Sequence, residues 1–359
     1  MTGRPRTRRL PDFLCIGAQK AGTTWLYRNL RAHPEVWLPP EKEVHYFDDR
    51  FHEEGAGTGE PTRPRRKDRR SRRTRLERNL VDWLANLSPS ALGWHMRNAG
   101  THVSPSAVWW RLRYSLGRAS DDWYASLFRP GADRLTGDMT PAYATLSPQR
   151  VARVHALLPD ARIIFFIRNP IERAWSHARM HARQGHVHER DEAIRRHFRS
   201  ATSLQRTDYI RTLQIWSKVF PTDQIFVGFV EDLRFNPHLL LDRVCSFLGL
   251  TPITEWPYPT DRVYSRSGAT IPTSLAIELA TIHGELTADL ARLFGGYASW
   301  WQYCQTRIAS LEPLGDLGFP FYDGALWSEW IGDSTPELQS DTLARAPRAS
   351  QMLAVGCTS

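Results

Sequence analysis

Cysteine and lysine are scarce in this 359-residue chain. The four cysteines lie far apart and form no CxxC pair or Cys/His cluster, which argues against a zinc site or a disulfide framework and predicts reduced, at least partly buried thiols. No apolar run reaches the roughly 18–20 residues that span a bilayer. The Arg-rich stretch before Leu10 has no apolar segment behind it, unlike a secretory signal. We therefore expect a cytoplasmic protein with no membrane partner. The cysteines are Cys15, Cys245, Cys304 and Cys357.

The net charge of +9 is concentrated in two segments. Residues 60–78 hold ten basic and three acidic side chains, and four arginines precede Leu10, so the remainder is close to neutral. A block rich in Arg and Pro is typical of a disordered, solvated segment. A nucleic-acid-binding protein that uses 60–78 is the alternative, but the sequence has no recognised binding module, so no nucleic-acid partner is expected.

Apolar segments of strand length alternate with helical periodicity, which predicts an α/β fold with a mostly parallel sheet flanked by helices. Residues 49–120 are basic and then Trp-rich, and we interpret them as a loop or helical insertion. We expect one domain over 1–332 and a polar tail over 333–359. Predicted strands are 12–17, 135–138, 162–168 and 224–229, and predicted helices are 23–32, 148–158, 204–220, 237–248 and a long amphipathic one over 275–293.

A glycine-containing loop, GAQKAGTT, follows the first strand and precedes a helix. This order is typical of phosphate binding, because backbone N–H groups and the positive helix terminus face the anion. A loop that binds nucleotide triphosphates would carry its lysine directly after the second glycine, where this chain has Thr23. The lysine of this loop is instead Lys20, three residues earlier. The alternative is a glycine-rich structural turn.

The segment RIIFFIRNPIERAWS places Arg168 at the end of a strand and Ser176 eight residues later. Asn169 can cap the following helix, and Pro170 suits its first turn. Ser176 is off the apolar stripe of that helix. A guanidinium and a hydroxyl can then meet one phosphate at the carboxyl end of the sheet.

A third segment, EKEVHYFD over 41–48, holds Lys42, Glu43, His45 and Asp48 besides Glu41. If it is a strand, Glu43 and His45 share one face. A charged surface strand is the alternative. Lys20 and Lys42 are two of only four lysines among 47 basic residues. An ammonium and a guanidinium are not interchangeable at a tight site, so both lysines are candidate functional residues.

Together these motifs resemble sulfotransferases that use 3′-phosphoadenosine 5′-phosphosulfate (PAPS), especially the heparan sulfate enzymes and bacterial relatives. The resemblance covers about residues 11–300 outside the insertion and implies the sulfotransferase variant of the P-loop NTPase fold. It implies Glu43 as general base, with His45 and Asp48 in support, and Lys20 stabilising the leaving group. It also implies 3′-phosphate binding by Arg168 and Ser176, with a looser match at Arg266. The implied 5′-phosphosulfate loop comprises Gln19, Lys20, Ala21, Gly22, Thr23, Thr24 and Trp25.

The implied reaction moves the sulfuryl group of PAPS, without a metal, to a hydroxyl or amine of a small-molecule, glycoside or carbohydrate acceptor. The heparan-type enzymes often carry Lys within 137–143, where this chain has Met139, so Lys42 is the candidate substitute. The rival enzyme is a P-loop kinase or NTPase using Mg-ATP. The position of Lys20 and the lack of a clear strand-ending Asp argue against that rival. The acceptor and the oligomeric state cannot be inferred from the sequence.

Overall fold

A parallel five-stranded sheet forms the centre of the molecule. The computed structural model describes residues 9–48, 105–183, 191–260 and 269–333. The predicted α/β class is confirmed, and the sheet strands match the predicted ones to within a residue except for a short additional edge strand. The strands of this sheet are β1 (Phe13–Gly17), β2 (Val36–Trp37), β3 (Leu135–Met139), β4 (Arg162–Ile167) and β5 (Ile225–Phe229).

The strand order β2-β3-β1-β4-β5 places β1 in the middle. Phe13 of β1 aligns with Gly137 of β3 and with Arg162 of β4. A Cβ atom on Gly137 would lie 2.2 Å from the Phe13 ring, so this close approach requires glycine. The strands β2 and β3 lie on one side of β1, and β4 and β5 lie on the other. Ligands of open α/β sheets bind at the carboxyl ends of the strands, beside the point where the strand order reverses in this way.

The strand β1 is buried throughout and β4 is buried from Ile163 onward, which accounts for their continuous apolar sequence there. Helices flank the sheet and supply the rest of the core. The helices are α1 (Thr23–Ala32), α2 (Pro105–Leu116), α3 (Asp121–Ser126), α4 (Pro148–Leu157), α5 (Pro170–Arg183), α6 (Asp191–Phe198), α7 (Ala201–Thr207), α8 (Tyr209–Trp216), α9 (Val230–Phe235), α10 (Pro237–Leu248), α11 (Thr273–Ile282), α12 (Gly284–Phe294), α13 (Gly296–Ala309) and α14 (Ala325–Asp333).

Two predicted helices are each divided into two. The helix expected over 204–220 is α7 and α8, because the Asp208 side chain caps α8 by accepting a hydrogen bond from the Arg211 backbone N–H at 3.0 Å. The helix expected over 275–293 is interrupted at His283, and α12 begins at Gly284. Glycine is a poor residue inside a helix, which favours the break there.

A second, two-stranded antiparallel sheet was not predicted by the sequence patterns. It pairs β6 (Ala269–Pro272) with β7 (Asp316–Phe319), and α11, α12 and α13 lie between the two strands in sequence. The indole of Trp175 on α5 donates to the Thr270 carbonyl at 3.2 Å, which joins this small sheet to the core. A short 3₁₀ helix, Phe321–Asp323, follows β7.

The part of the insertion that is described contains α2, whose two tryptophans differ in environment. Trp110 is 4% exposed and donates to the Leu127 carbonyl at 2.8 Å, whereas Trp109 is 72% exposed. Trp110 therefore joins the main core. Trp83, Trp94, the basic stretch 60–78, Cys357 and the tail beyond 333 lie outside the described residues. The other three cysteines are free and buried, as predicted.

Candidate active site

The phosphate loop lies between β1 and α1, at the carboxyl edge of the sheet. Lys20 and Gly22 both have positive φ, at 73° and 80°. A Cβ atom on Gly22 would lie 2.6 Å from Cδ2 of Leu233, so glycine is favoured by both space and conformation. No side chain caps the amino terminus of α1. The loop and the first N–H groups of α1 can therefore receive an anion.

Arg168 follows β4 and meets this loop. Its Nη1 donates to the Lys20 carbonyl at 3.3 Å, so the structure brings these two predicted motifs together. As predicted, Asn169 caps α5, with its Oδ1 accepting from the Ile171 N–H at 3.0 Å. Ser176 lies about two turns into α5 and is half-buried.

Glu172 holds the Arg168 guanidinium, and the sequence interpretation did not identify it. Arg168 Nε and Nη2 donate to Glu172 Oε2 at 2.9 and 2.6 Å. Burial works against the charged guanidinium, but Glu172 outweighs it and raises the pKa of Arg168. Glu172 Oε1 accepts from the Phe321 N–H at 2.6 Å, so the 3₁₀ helix that follows β7 is tied to this site. The i, i+4 spacing of Arg168 and Glu172 was the available sequence signal.

Four side chains form a continuous series of contacts that we call the Glu43 cluster: Lys42, Glu43, His45 and Asp48. Lys42 Nζ lies 2.9 Å from Glu43 Oε1, and His45 Nε2 lies 3.3 Å from Glu43 Oε2. His45 Nδ1 contacts Asp48 Oδ2. The segment is not a strand, so the period-2 argument does not apply to it, and Glu43 and His45 have φ values of 71° and 59°. Left-handed backbone, not strand alternation, brings the two together.

Glu43 is held in its ionised form. Its side chain is 36% exposed. Burial works against the carboxylate, but hydrogen bonds and charge from His45 and Lys42 outweigh it and lower the Glu43 pKa to about 2. At neutral pH Glu43 is therefore a carboxylate with a cation on one oxygen and an imidazole on the other.

Asp138 is linked to the Glu43 cluster segment through Tyr143. It is fully buried near the carboxyl end of β3 and accepts hydrogen bonds from three hydroxyls at 2.7–2.9 Å, those of Tyr124, Thr140 and Tyr143. Burial raises the Asp138 pKa, and these hydrogen bonds oppose the rise. The Tyr143 hydroxyl also accepts from the Tyr46 N–H at 2.8 Å, which fixes the backbone next to His45.

Asp138 also corrects the view that the chain lacks a clear strand-ending aspartate. It lies on the strand beside β1, where a nucleotide hydrolase could hold magnesium, but three hydroxyls already occupy its oxygens. Within the described ranges, no group of three or more His, Cys, Asp or Glu side chains is arranged to hold a metal ion.

The remaining predicted positions are less informative. Met139 is an uncharged side chain and is 2% exposed. Arg266 lies outside the described residues.

No helix in the part of the chain that the structure describes is both long and apolar enough to cross a membrane.

Known proteins that are similar to this chain are sulfotransferases. The model of the Sulfotransferase family matches residues 11–255, so the chain belongs to that family. Human carbohydrate sulfotransferase 15 is 27% identical over 277 residues, covering 70% of this chain and 46% of the relative. The Drosophila melanogaster bifunctional heparan sulfate N-deacetylase/N-sulfotransferase is 24% identical over 264 residues, covering 69% of this chain and 20% of the relative. The chain thus spans less than half the length of these curated relatives.

Among solved structures, a sulfotransferase from Alicyclobacillus acidocaldarius aligns with a TM-score of 0.43 and 23% identity, covering 79% of this chain and 94% of that one.

Proposed function

We propose that this protein transfers the sulfuryl group of PAPS to a hydroxyl or amine of a carbohydrate, glycoside or other small-molecule acceptor. The observation that carries the proposal is the Glu43 cluster. It places an ionised carboxylate, with Lys42 and His45 on its two oxygens, on a segment anchored to the carboxyl end of β3. The names of the relatives, which act on carbohydrates, support the acceptor class.

The residues present fit this donor. PAPS carries a 3′-phosphate and a 5′-phosphosulfate on its ribose, and the chain offers an uncapped helix terminus at one point and the Arg168 guanidinium at another. Arg168 and Ser176 would hold the 3′-phosphate, and the loop 19–25 would hold the 5′ end. Bound PAPS supplies an activated sulfuryl group on a bisphosphate leaving group.

Glu43 is the general base in this proposal, and its neighbours control its basicity. A carboxylate with a pKa near 2 is a weak base, because Lys42 and His45 both stabilise its negative charge. If Lys42 Nζ moves from Glu43 Oε1 to a sulfuryl oxygen, the Glu43 pKa rises and one oxygen becomes available for the acceptor proton. Lys42 would then supply the charge that Met139 does not.

Lys20 and His45 have narrower roles. Lys20 neutralises charge that develops on the leaving phosphate oxygen. Asp48 orients the His45 ring through Nδ1, so that Nε2 stays directed at Glu43. Catalysis then rests mainly on positioning and preorganised charge.

Calorimetric titration with adenosine 3′,5′-bisphosphate tests the donor. We expect micromolar binding that Arg168→Gln weakens roughly 10- to 100-fold, because a charge-assisted hydrogen bond to phosphate is lost. Arg162→Gln, at the amino end of the same strand, is the matched control and should bind like the wild type. Tight magnesium-dependent ATP binding with no bisphosphate binding would instead favour the kinase.

A further inference from the structure

The Arg168 guanidinium is held by three separate elements of the fold. Glu172 on α5 accepts from Nε and Nη2 at 2.9 and 2.6 Å, and the Lys20 carbonyl of the phosphate loop accepts from Nη1 at 3.3 Å. The third element is the end of β7, where the guanidinium lies over the Phe319 ring with 5.1 Å between Arg168 Cζ and the ring centroid. Hydrogen bonds therefore fix the guanidinium within its own plane, and an aromatic ring covers one of its faces.

This arrangement leaves part of the guanidinium available for a ligand. Among the described residues, the hydrogen bonds to Glu172 and to the Lys20 carbonyl use three of its five N–H groups, which leaves one N–H on each terminal nitrogen. Two such N–H groups can meet one phosphate. The Arg168 side chain is 12% exposed, so the direction of these two N–H groups is set by the protein and not by solvent.

Glu172 uses both of its oxygens as acceptors. Oε2 accepts from Arg168, and Oε1 accepts from the Phe321 N–H at 2.6 Å. Glu172 and Phe321 are 0% and 1% exposed, so water does not compete for either contact. A glutamine at this position would offer one acceptor oxygen, so it could satisfy Arg168 or Phe321 but not both.

The Phe319 ring and the Phe321 N–H both belong to a segment outside the region that the family model matches. That region ends at residue 255, whereas β7 and the following 3₁₀ helix lie within 316–323. The segment is attached to α5 a second time, because β7 pairs with β6 and the Trp175 indole donates to the Thr270 carbonyl of β6. Residues 316–323 thus contact both the arginine and the carboxylate that orients it.

We propose that Glu172 and Phe319 are positioning residues for the 3′-phosphate of the donor, and that the segment 316–323 thereby forms part of the donor site. This inference rests on the proposed function and deepens it, because that function gives the chain after residue 255 no role. Glu172 sets the direction of the guanidinium within its plane, and the Phe319 ring holds that plane and excludes water from one face. An arginine that is oriented before the ligand arrives loses less conformational freedom on binding, so the 3′-phosphate contributes more affinity.

The contribution of the 3′-phosphate can be measured by itself as a ratio of two affinities. Adenosine 3′,5′-bisphosphate and adenosine 5′-monophosphate differ only in that group, and calorimetric titration with each gives the ratio. We expect Glu172→Gln to lower the ratio about 10-fold, and Phe319→Leu to lower it about 3- to 5-fold. The affinity for the monophosphate should stay unchanged in both variants.

Two further variants separate positioning from packing. Phe319→Tyr keeps the aromatic face and should keep the wild-type ratio. Phe226 near the amino end of β5 is half-buried like Phe319 and also lies under an arginine, with 5.7 Å between Arg243 Cζ and its ring centroid. Phe226→Leu is therefore the matched control, and it should leave the ratio unchanged.

The outcomes separate this inference from the proposed function. An unchanged ratio in Glu172→Gln or Phe319→Leu, or an equal loss of affinity for both nucleotides, would show that these residues only support the fold. A ratio that rises in Glu172→Gln would show that its charge competes with the phosphate. Because Phe319 is half-buried, Phe319→Leu keeps the test decisive if Glu172→Gln does not fold.

The Arg168→Gln variant identifies which claim has failed. If it lowers the ratio and the Glu172 and Phe319 variants do not, the inference fails and the donor assignment stands. If the wild type does not bind the bisphosphate, or if Arg168→Gln leaves the ratio unchanged, the donor assignment fails and the inference fails with it.

Discussion

Glu231 offers a sharp test of the electrostatics around the predicted 3′-phosphate site. This glutamate begins α9 with Val230 and is fully buried, and its Oε1 accepts from the Trp301 indole at 2.7 Å. Burial, reinforced by the negative charge of Glu172, raises the Glu231 pKa to about 8. At neutral pH Glu231 therefore carries a proton, and Arg168 interacts with one ionised carboxylate, that of Glu172.

The raised pKa makes stability depend on pH in a defined direction. In the unfolded chain Glu231 titrates near its ordinary value of 4.5. Between that value and about 8 the folded protein binds more protons, so Glu231 lowers the free energy of unfolding as pH rises through this window. At pH values above the folded pKa, the shift lowers the free energy of unfolding by about 3–5 kcal/mol in total. Glu231→Gln has nearly the same shape and cannot ionise, so it lacks this loss.

Urea denaturation at about pH 5.5 and pH 8.5 measures the effect. Between the two pH values the free energy of unfolding of Glu231→Gln should rise by about 2–4 kcal/mol relative to that of the wild type. The difference is smaller than the full effect because the wild type has already lost part of its stability at the lower pH. Glu192→Gln, which changes an exposed glutamate of α6, should show no such gain. If Glu231→Gln and wild type change in parallel, Glu231 is not a buried protonated carboxyl group and the reasoning fails.

Three further predictions concern the catalytic segment and the core. Glu43→Gln should lower the rate of sulfuryl transfer about 10²- to 10⁴-fold while bisphosphate still binds in calorimetry, and a rate within tenfold of wild type would rule out Glu43 as the base. Asp138→Asn should lower the free energy of unfolding by about 2–4 kcal/mol in urea, because three hydroxyls lose an ionised acceptor, and an unchanged midpoint would contradict this. Trp110→Ala should lower the free energy of unfolding in urea by about 3–5 kcal/mol, whereas Trp109→Ala should change it by no more than about 0.5 kcal/mol. Equal effects of the two substitutions would show that α2 is not packed as described.

The sequence predicted the parallel sheet well because its strands are strongly constrained. The strands β1 and β4 are buried on both faces, so almost every position must be apolar, and their boundaries can be recognised without tertiary information. The helix α10, Pro237–Leu248, was predicted with the correct ends because Pro237 and Gly249 mark them. Helix breaks were harder to predict, since the apolar periodicity continues through Asp208 and His283.

The candidate site was only partly predictable. The residues of the Glu43 cluster came from a motif, but their arrangement depends on left-handed backbone at Glu43 and His45, which a period-2 argument does not anticipate. The hydroxyl partners of Asp138 are near it in sequence, but its complete burial depends on tertiary packing, so its role was missed. Glu172 has a local signal in its i, i+4 spacing from Arg168, whereas its bond to the Phe321 N–H joins segments 149 residues apart.

Release of adenosine 3′,5′-bisphosphate from PAPS tests the central claim most directly. The purified protein would be incubated with PAPS, a metal chelator and p-nitrophenyl β-D-glucuronide, with the sulfated product and the bisphosphate followed by chromatography. We predict equimolar, acceptor-dependent formation of both, lost in Glu43→Gln and in Lys20→Ala. Absence of either product with PAPS, together with magnesium-dependent consumption of ATP, would contradict the account.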